Sequence, residues 1–510
     1  MMKNLFYTLF SLLLFTSNSI FAQENGFTVA DDVKPMKYNR MIFGQFIEHF
    51  HRQIYGGIFE TGSLLSDTDG FRTDVIAAMK ELQVPIVRWP GGCFVSSYHW
   101  LDGVGSNRQP AYDKAWGVED PNTFGTVEFV KWCRLIRAEP FICTNAGTGT
   151  AEEMSDWVEY CNANIGKYAR LRQAHGIKEP LNVKYWSVGN ENYGSWELGA
   201  KTVGEWGTLV RESAKLMKAA DPTIKLFAAA TAGEDWTLPL LQAAGKHLNY
   251  VSIHGYWDGY KPASYMDCMM KTEQPAGQIA STIAILEKAK LRGKVKIAFD
   301  EWNLRGWTAP GFPGGGAENS LIAERDKDDI NSTYTMADAV FSACFLNTCL
   351  RNGNDVEIGG FSPVVNTRGA LFVHPKGIVK RTTFHVLKLY AEKLEKNVLP
   401  IEVKSERLTH GDKSTPALDA VLTCNDDKTK YVLAVVNKSP DKAIAFDIGA
   451  VNKISGKTAD EFSATILSGS SPDDFNDIGA ENRVVPESKT LKVEDGKVVV
   501  PAHSVVFIAL

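Results

Sequence analysis

Short apolar segments alternate with longer amphipathic segments along the chain from residue 41 onward. Eight of the short segments are nearly continuous apolar runs, which are typical of parallel strands covered on both faces. They are MIFGQFIEH (41–49), VPIVRWPGG (84–92), EPFICTNAG (139–147), VKYWSVGNE (183–191), IKLFAAATA (224–232), YVSIHGYW (250–257), VKIAFDEW (295–302) and VEIGGFSPVV (356–365).

The segments between these runs carry helical periodicity. Apolar residues recur at intervals of three and four over residues 126–136 and 202–220, and Pro222 ends the second helix. Residues 278–291 and 329–350 are further predicted helices. This α/β alternation predicts a (β/α)8 TIM barrel over residues 41–384. An open doubly wound sheet is the alternative, but no glycine-rich phosphate turn follows the first strand.

The pattern changes after residue 384. Apolar and polar residues alternate over 431–439, 442–449, 463–469 and 489–510, with turn signals between them. We therefore predict an antiparallel β-sandwich over residues 385–510. Residues 23–40 precede the barrel, and their length allows a strand that joins this sandwich.

The first 22 residues are predicted to be a secretory signal peptide. Lys3 precedes an apolar stretch over residues 5–15, and Ala22 supplies a small residue for cleavage. The stretch is too short to span a bilayer, and no later segment predicts a membrane anchor. We therefore expect an exported protein, either periplasmic or secreted.

Composition narrows the possible functions. The chain has 510 residues, of which 44% are hydrophobic and 23% are charged, with a formal net charge of −5. These values are typical of a soluble globular protein and argue against a nucleic-acid partner, which requires a concentrated basic surface. The eight cysteines have no paired spacing, so neither a disulfide framework nor a zinc site is indicated.

Two glutamates stand at predicted strand ends, where the reactive groups of (β/α)8 enzymes lie. Glu191 closes the fourth strand and Glu301 follows Asp300 on the seventh. A ring of eight strands brings both to one pocket, where two opposed carboxylates can hydrolyse a glycosidic bond. A surface loop or a structural ion pair is the simpler interpretation of either glutamate alone.

Other polar side chains emerge at the same rim. Asn190 can donate to a sugar hydroxyl, and Glu48 can bind a second hydroxyl or pair with Arg88, which can also orient the nucleophile. His254 and Tyr256 are two residues apart on the sixth predicted strand, so their side chains lie on the same face of it. If that face is the barrel interior, both side chains can reach Glu301. Satisfied core polar groups are the alternative.

Aromatic residues near the strand ends are candidates for stacking on a sugar ring. We expect one or two of four tryptophans to do so: Trp89, Trp100, Trp257 and Trp302. Of these, Trp100 is our predicted substrate contact, together with Cys93 after the paired glycines.

The chain resembles the retaining α-L-arabinofuranosidases of glycoside hydrolase family 51. The resemblance rests on ordered motifs: FGQFIEHFHRQIYGGI (43–58), RWPGGCFVSSYHWLDGVG (88–105), WGVEDPNTFGTVEFVKWC (116–133), WSVGNENYGSWELG (186–199), SIHGYW (252–257) and FDEWN (299–303). It implies a barrel with an appended β-sandwich, Glu191 as acid/base and Glu301 as nucleophile. It also implies that Glu48 and Asn190 bind arabinose hydroxyls, that no metal or organic cofactor is needed, and that a homo-oligomer is an option.

The leading hypothesis is an exo-acting enzyme that removes terminal α-L-arabinofuranosyl groups from arabinan, arabinoxylan or their oligosaccharides. Cys93 and the segment Asn366–Ala370, which includes Arg368, depart from the pattern that we expect of the family and keep a second hypothesis open. That hypothesis is the same chemistry on an internal linkage of a β-glucan or xylan. A third is a glycan-binding protein without activity.

Overall fold

The computed structural model describes residues 25–29, 34–258, 263–306, 329–456 and 458–510. The predicted signal peptide, residues 1–22, lies outside these ranges. Among the described helices, none is both long enough and apolar enough to cross a membrane.

The predicted (β/α)8 barrel is confirmed. Eight parallel strands close a ring in which each strand pairs with its neighbours in the sequence. In chain order, barrel strands 1 to 8 are Gln45–Phe46, Ile86–Trp89, Glu139–Thr144, Tyr185–Val188, Lys225–Ala229, Tyr250–Asp258, Lys296–Arg305 and Val356–Phe361. Because the strands are parallel, all their carboxyl ends meet at one rim.

The first strand is much shorter than the predicted 41–49. Residues Arg40–Phe43 form a 3-10 helix instead, since the Asn39 side chain accepts a hydrogen bond from the backbone N–H of Met41 and caps it. The ordered strand is then limited to two residues before the chain turns toward the pocket.

Helices follow every barrel strand. In order they are Thr73–Glu81; Thr126–Ile136; Ala151–Asn162 with Lys167–Ala174; Val203–Ala220; Glu234–Ala244; Tyr265–Met269 with Gln274–Lys288; Met336–Arg351; and Thr382–Lys393. Local capping explains the limits of the longest of these helices, Val203–Ala220. Thr202 and Glu205 form a capping box at the start of Val203–Ala220, and Asp221 follows its last residue just before Pro222.

Aromatic rings close the amino-terminal end of the barrel interior. The ring centroids of Phe141 and Phe227 are 4.3 Å apart, and those of Phe227 and Tyr250 are also 4.3 Å apart. These side chains belong to a separate buried cluster with Ile86 and Ile358. Since this end is filled, an open site requires the opposite end, where the strands finish.

The carboxyl-terminal region forms two packed sheets. A four-stranded sheet contains Glu402–Lys404, Gly26–Thr28, Ile444–Asp447 and Lys497–Val500. A seven-stranded sheet contains Met36–Lys37, Asn397–Leu399, Leu418–Cys424, Tyr431–Asn437, Ser504–Ala509, Glu461–Leu467 and Glu487–Lys492. Two short strands from residues 23–40 therefore join the sheets, one in each. The pairing is antiparallel except for a parallel match of Gly26 with Asp447.

The seven-stranded sheet packs directly on the barrel. Helix Met336–Arg351 is buried on all sides because it lies between the barrel wall and this sheet, and Arg351 donates to the Ala420 carbonyl at 2.9 Å. The boundary that we placed between residues 384 and 385 needs correction, since it falls inside helix Thr382–Lys393. That helix completes the barrel, and its Tyr390 packs edge-on against Phe507 of the sheet.

Candidate active site

Glu191 and Glu301 face each other at the carboxyl rim of the barrel. An oxygen of each carboxylate and Nδ1 of His254 all lie within 4.8 Å of one another. Glu301 lies within barrel strand 7, whereas Glu191 follows strand 4 in a sharp turn and has a left-handed backbone with φ of 44°. Such backbone geometry in a non-glycine residue is uncommon and recurs at functional sites.

Glu301 is a buried carboxylate with strong donors on both oxygens. Arg88 Nη1 lies 2.7 Å from Oε2, and the Tyr256 phenol donates to Oε1 at 2.6 Å. Burial alone raises the pKa of Glu301, but the charges of His254 and Arg88 and the phenol hydrogen bond outweigh burial and lower the pKa below its usual value of 4.5. Glu301 is therefore ionised near neutral pH.

Glu191 is partly exposed, and its donors are of a different kind. The indole N–H of Trp196 donates to Oε2 at 2.9 Å, and the Tyr193 phenol donates to Oε1 at 3.3 Å. Trp196 is itself 54% exposed at the mouth of the pocket. Glu191 thus lies closer to solvent than Glu301 and has no arginine partner among the described residues.

His254 contacts the two glutamates unequally. Its Nδ1 lies 2.9 Å from Glu191 Oε1 and 3.5 Å from Glu301 Oε2. His254 therefore reaches Glu301, as predicted, but through an ionic contact, and its short hydrogen bond is to Glu191. Burial lowers the pKa of His254, but the two carboxylates outweigh burial and raise the pKa above 6.5. A protonated imidazole placed here stabilises the negative charge of Glu301.

Glu48 lines the same cavity on the side of barrel strand 1. Its Oε1 accepts from the Phe94 backbone at 3.1 Å and from the Trp116 indole at 3.0 Å. A Cβ atom on Gly92 would lie 2.7 Å from this carboxylate, which explains a glycine at that position. Burial, and secondarily the charge of Glu301, raises the pKa of Glu48 to about 8. The predicted pairing of Glu48 with Arg88 is not found.

Arg88 instead joins Glu301 to the strand 4 loop. Its Nη2 donates to Asn190 Oδ1 at 2.7 Å, and Asn190 Nδ2 donates to Glu197 Oε1 at 2.8 Å. Asn190 is 1% exposed, so both ends of its amide are used inside the protein. In this structure Asn190 links Arg88 to Glu197, and the second N–H of its amide is the donor left for the predicted bond to a sugar hydroxyl.

The cavity in front of the glutamates has a volume of about 420 Å³. It is lined by Glu48, Phe50, Gln53, Gly92, Cys93, Trp116, Glu191, Trp196, Tyr256, Asp258, Glu301, Gly306 and Arg368. The Cys93 side chain therefore lies at the predicted place. Arg368 also lies there, with its guanidinium 4.5 Å from the centre of the Tyr256 ring.

The tryptophan prediction is wrong. Trp89, Trp100 and Trp302 are at most 1% exposed, and Trp257 packs on Phe341 in the barrel wall. Trp100, our predicted substrate contact, stacks on Trp157 and donates its indole N–H to the Glu153 carbonyl. Since the ring of Trp100 packs against helix Ala151–Asn162, it has no face for a sugar.

Two other tryptophans and a fourth glutamate belong to the site although the sequence analysis does not predict them. Trp116 and Trp196 line the cavity, and Glu197 contacts Asn190 behind it. Trp196 and Glu197 belong to the motif WSVGNENYGSWELG (186–199), and Trp116 opens the motif of residues 116–133. The search for polar residues at strand ends did not find these three residues, because they lie on loops beyond the strand ends.

Comparisons with known proteins identify the family of the chain. Residues 78–272 match the family model "Alpha-L-arabinofuranosidase 1 domain", and residues 300–504 match "Alpha-L-arabinofuranosidase C-terminal domain". The chain is 34% identical to an intracellular exo-α-(1→5)-L-arabinofuranosidase of Acetivibrio thermocellus, with 84% of this chain and 87% of that one covered.

Solved structures support the same relationship. An arabinose complex of the α-L-arabinofuranosidase from Thermotoga maritima has a TM-score of 0.82 at 32% identity, over 95% of this chain and 99% of that one. The family 51 arabinofuranosidase of Xanthomonas axonopodis pv. citri has a TM-score of 0.85 at 27% identity, over 96% and 100%. The chain therefore belongs to the α-L-arabinofuranosidases of glycoside hydrolase family 51.

Proposed function

We propose that the chain is an exo-acting, configuration-retaining α-L-arabinofuranosidase with Glu301 as nucleophile and Glu191 as acid/base. The observation that carries the proposal is the approach of the two carboxylates to within 4.8 Å. Retaining glycosidases keep their carboxyl groups about 5–5.5 Å apart, whereas inverting enzymes leave about 6.5–9.5 Å for a water molecule.

The unequal surroundings of the two carboxylates support the assignment of roles. Arg88 and Tyr256 stabilise the charged form of Glu301, which an attacking carboxylate needs. Glu191 lies at the solvent side of the cavity, where a leaving group departs and water enters. A residue at that position can donate a proton to the leaving group and later accept a proton from the attacking water.

The reaction follows from these positions. A Glu301 oxygen forms a bond to the anomeric carbon while the glycosidic C–O bond breaks, and the proton of Glu191 passes to the leaving oxygen. Water then attacks the anomeric carbon, Glu191 takes a proton from it, and the ester bond to Glu301 breaks. Two inversions at the same carbon retain its configuration.

The proposed substrates are terminal, non-reducing α-L-arabinofuranosyl groups of arabinan, arabinoxylan and their oligosaccharides. The relative from Acetivibrio thermocellus is named for exo action on α-(1→5) linkages, and the Thermotoga maritima enzyme was solved with arabinose. The internal-cleavage hypothesis has weaker support: a bifunctional glucanase-xylanase with 11% identity and a TM-score of 0.60 shares the fold alone.

A panel of nitrophenyl furanosides and pyranosides tests the proposal, with the released sugar identified and its first-formed anomer followed by ¹H NMR. The proposal expects arabinose, released first as the α anomer, from α-L-arabinofuranosides. Viscosity loss of a β-glucan or xylan without arabinose release would favour the internal-cleavage hypothesis. Polysaccharide binding with no turnover of any substrate would favour a glycan-binding protein.

Export and self-association are separate proposals. We propose that residues 1–22 are removed during secretion, on the strength of the Lys3, apolar and Ala22 pattern. The relative from Acetivibrio thermocellus is named as intracellular. Amino-terminal sequencing of the protein from each cell fraction tests export: a mature protein that begins at Gln23 outside the cytoplasm supports it, and an intact amino terminus inside the cytoplasm contradicts it.

A homo-oligomer is proposed from the family resemblance, and light scattering of the purified protein tests it.

A further inference from the structure

Glu197 is a buried carboxylate behind the catalytic cavity. It lies in the strand 4 loop, is 5% exposed and accepts the Ser96 hydroxyl at 2.6 Å and Asn190 Nδ2 at 2.8 Å. In the part of the chain that the structure describes, Glu197 has no ion pair. Neutral donors from two loops therefore hold it in place.

The chemistry of its partners determines how the Asn190 amide is oriented. Arg88 can only donate a hydrogen bond, so Asn190 must turn its oxygen toward Arg88 and its nitrogen toward Glu197. The acceptor offered by Glu197 thus keeps Asn190 in the one orientation that serves Arg88. Without that acceptor, Asn190 Nδ2 would be left unsatisfied in a buried place, and its side chain would rotate to find another partner.

We propose that Glu197 is a positioning residue for the nucleophile, acting through the hydrogen-bond chain Glu197–Asn190–Arg88–Glu301. The inference rests on the proposed function of Glu301. The last link of the chain is the contact of Arg88 Nη1 with Glu301 Oε2 at 2.7 Å. Displacing Arg88 weakens a charge-assisted bond that both aims the nucleophile and keeps it ionised.

The hydrogen-bond chain requires a hydrogen-bond acceptor at position 197, but that acceptor need not be charged. Burial raises the pKa of Glu197 to about 7, so the carboxyl group is partly protonated near neutral pH. A proton on Oε2 can be donated to the Ser96 oxygen while Oε1 still accepts from Asn190. Glutamine can reproduce this arrangement, whereas alanine cannot.

The test compares Glu197→Ala and Glu197→Gln with the wild-type enzyme, using kcat/KM for an aryl α-L-arabinofuranoside between acidic and neutral pH. The acidic limb reports Glu301, whose facing charged and titratable groups are Arg88, His254, Tyr256, Glu191 and Glu48. We expect Glu197→Ala to lower kcat/KM by about 10- to 100-fold and to move the acidic limb to higher pH. Glu197→Gln should keep the wild-type limb and stay within about threefold of wild-type kcat/KM.

Glu153→Ala is the control, because Glu153 lies in the first turn of helix Ala151–Asn162, contacts His99 and takes no part in the hydrogen-bond chain from Glu197 to Glu301. If Glu197→Ala does not fold at the assay temperature, Glu197→Met, which fills similar space without an oxygen acceptor, replaces it. Full activity in the Ala or Met variant would overturn the inference, as would a loss with an unmoved acidic limb or an equal loss in Glu197→Gln. A wild-type enzyme inactive on arabinofuranosides would instead refute the proposed function.

Discussion

An oxygen of Glu191 lies within 4.8 Å of an oxygen of Glu301, although 109 residues lie between them in the sequence. This separation matches retaining glycosidases, whose carboxyl groups lie about 5–5.5 Å apart, so the proposed mechanism assigns the attack to a carboxylate. Arg88 contacts Glu301 and not Glu191, which distinguishes the two chemically similar groups.

Replacing Glu301 by Gln should abolish turnover while the fold is kept. The amide is not nucleophilic, so we expect kcat for an aryl α-L-arabinofuranoside to fall on the order of 10⁴-fold. Steady-state kinetics at pH 6 measure the effect. Glu287→Gln, on the barrel surface, serves as control, and a Glu301→Gln enzyme with near-normal kcat would remove Glu301 from the mechanism.

Replacing Glu191 by Ala should make the rate depend on the leaving group. Poor leaving groups need a proton, so we expect kcat/KM for natural oligosaccharides to fall about 10²- to 10⁴-fold, with a much smaller loss for a dinitrophenyl arabinofuranoside. Azide should restore turnover of the activated substrate and yield an arabinosyl azide. Equal losses for all leaving groups would contradict the acid/base role.

Tyr256→Phe tests what the phenol does for Glu301. Loss of the 2.6 Å hydrogen bond destabilises the ionised carboxylate, so the folded-state pKa of Glu301 rises. Because the enzyme is active only above that pKa, the acidic limb of kcat/KM should move to higher pH, and the maximal value should fall about tenfold. A pH profile identical to wild type would show that the phenol is not needed.

Two tryptophan variants distinguish Trp196, which lines the cavity, from Trp100, which is buried away from it. Trp196→Phe keeps the ring but removes the N–H donor to Glu191, so we expect kcat for poor leaving groups to fall about fivefold. Trp100→Phe removes a buried bond to the Glu153 carbonyl, so Tm should fall while KM stays unchanged. A raised KM in Trp100→Phe would restore our original prediction.

The positions of the strands and of the two glutamates could be predicted because most barrel strands contain a short apolar run, which Glu191 follows within three residues and which leads to Glu301 inside strand 7. Periodicity alone located helix 126–136, which the structure confirms at both ends. The first strand was overestimated because the cap formed by Asn39 is a local side-chain effect that an apolar run such as MIFGQFIEH does not reveal.

The lining of the cavity was less predictable, because burial depends on contacts between loops. Trp100 and Trp196 both lie beyond strand ends, yet Trp157 covers the first and solvent surrounds the second. Likewise, Glu48 was predicted to bind a sugar hydroxyl or to pair with Arg88, whereas its contact with the Trp116 indole depends on how the strand 2 loop folds back. Spacing along the chain carries no information about such contacts.

Mass spectrometry of the trapped intermediate tests the central claim most directly. The Glu191→Ala enzyme, mixed with a dinitrophenyl α-L-arabinofuranoside and quenched in acid, should accumulate protein heavier by one anhydropentose. Peptide mapping should place that pentose on Glu301. A pentose on another residue, or release of β-arabinose as the first product without any adduct, would contradict the account.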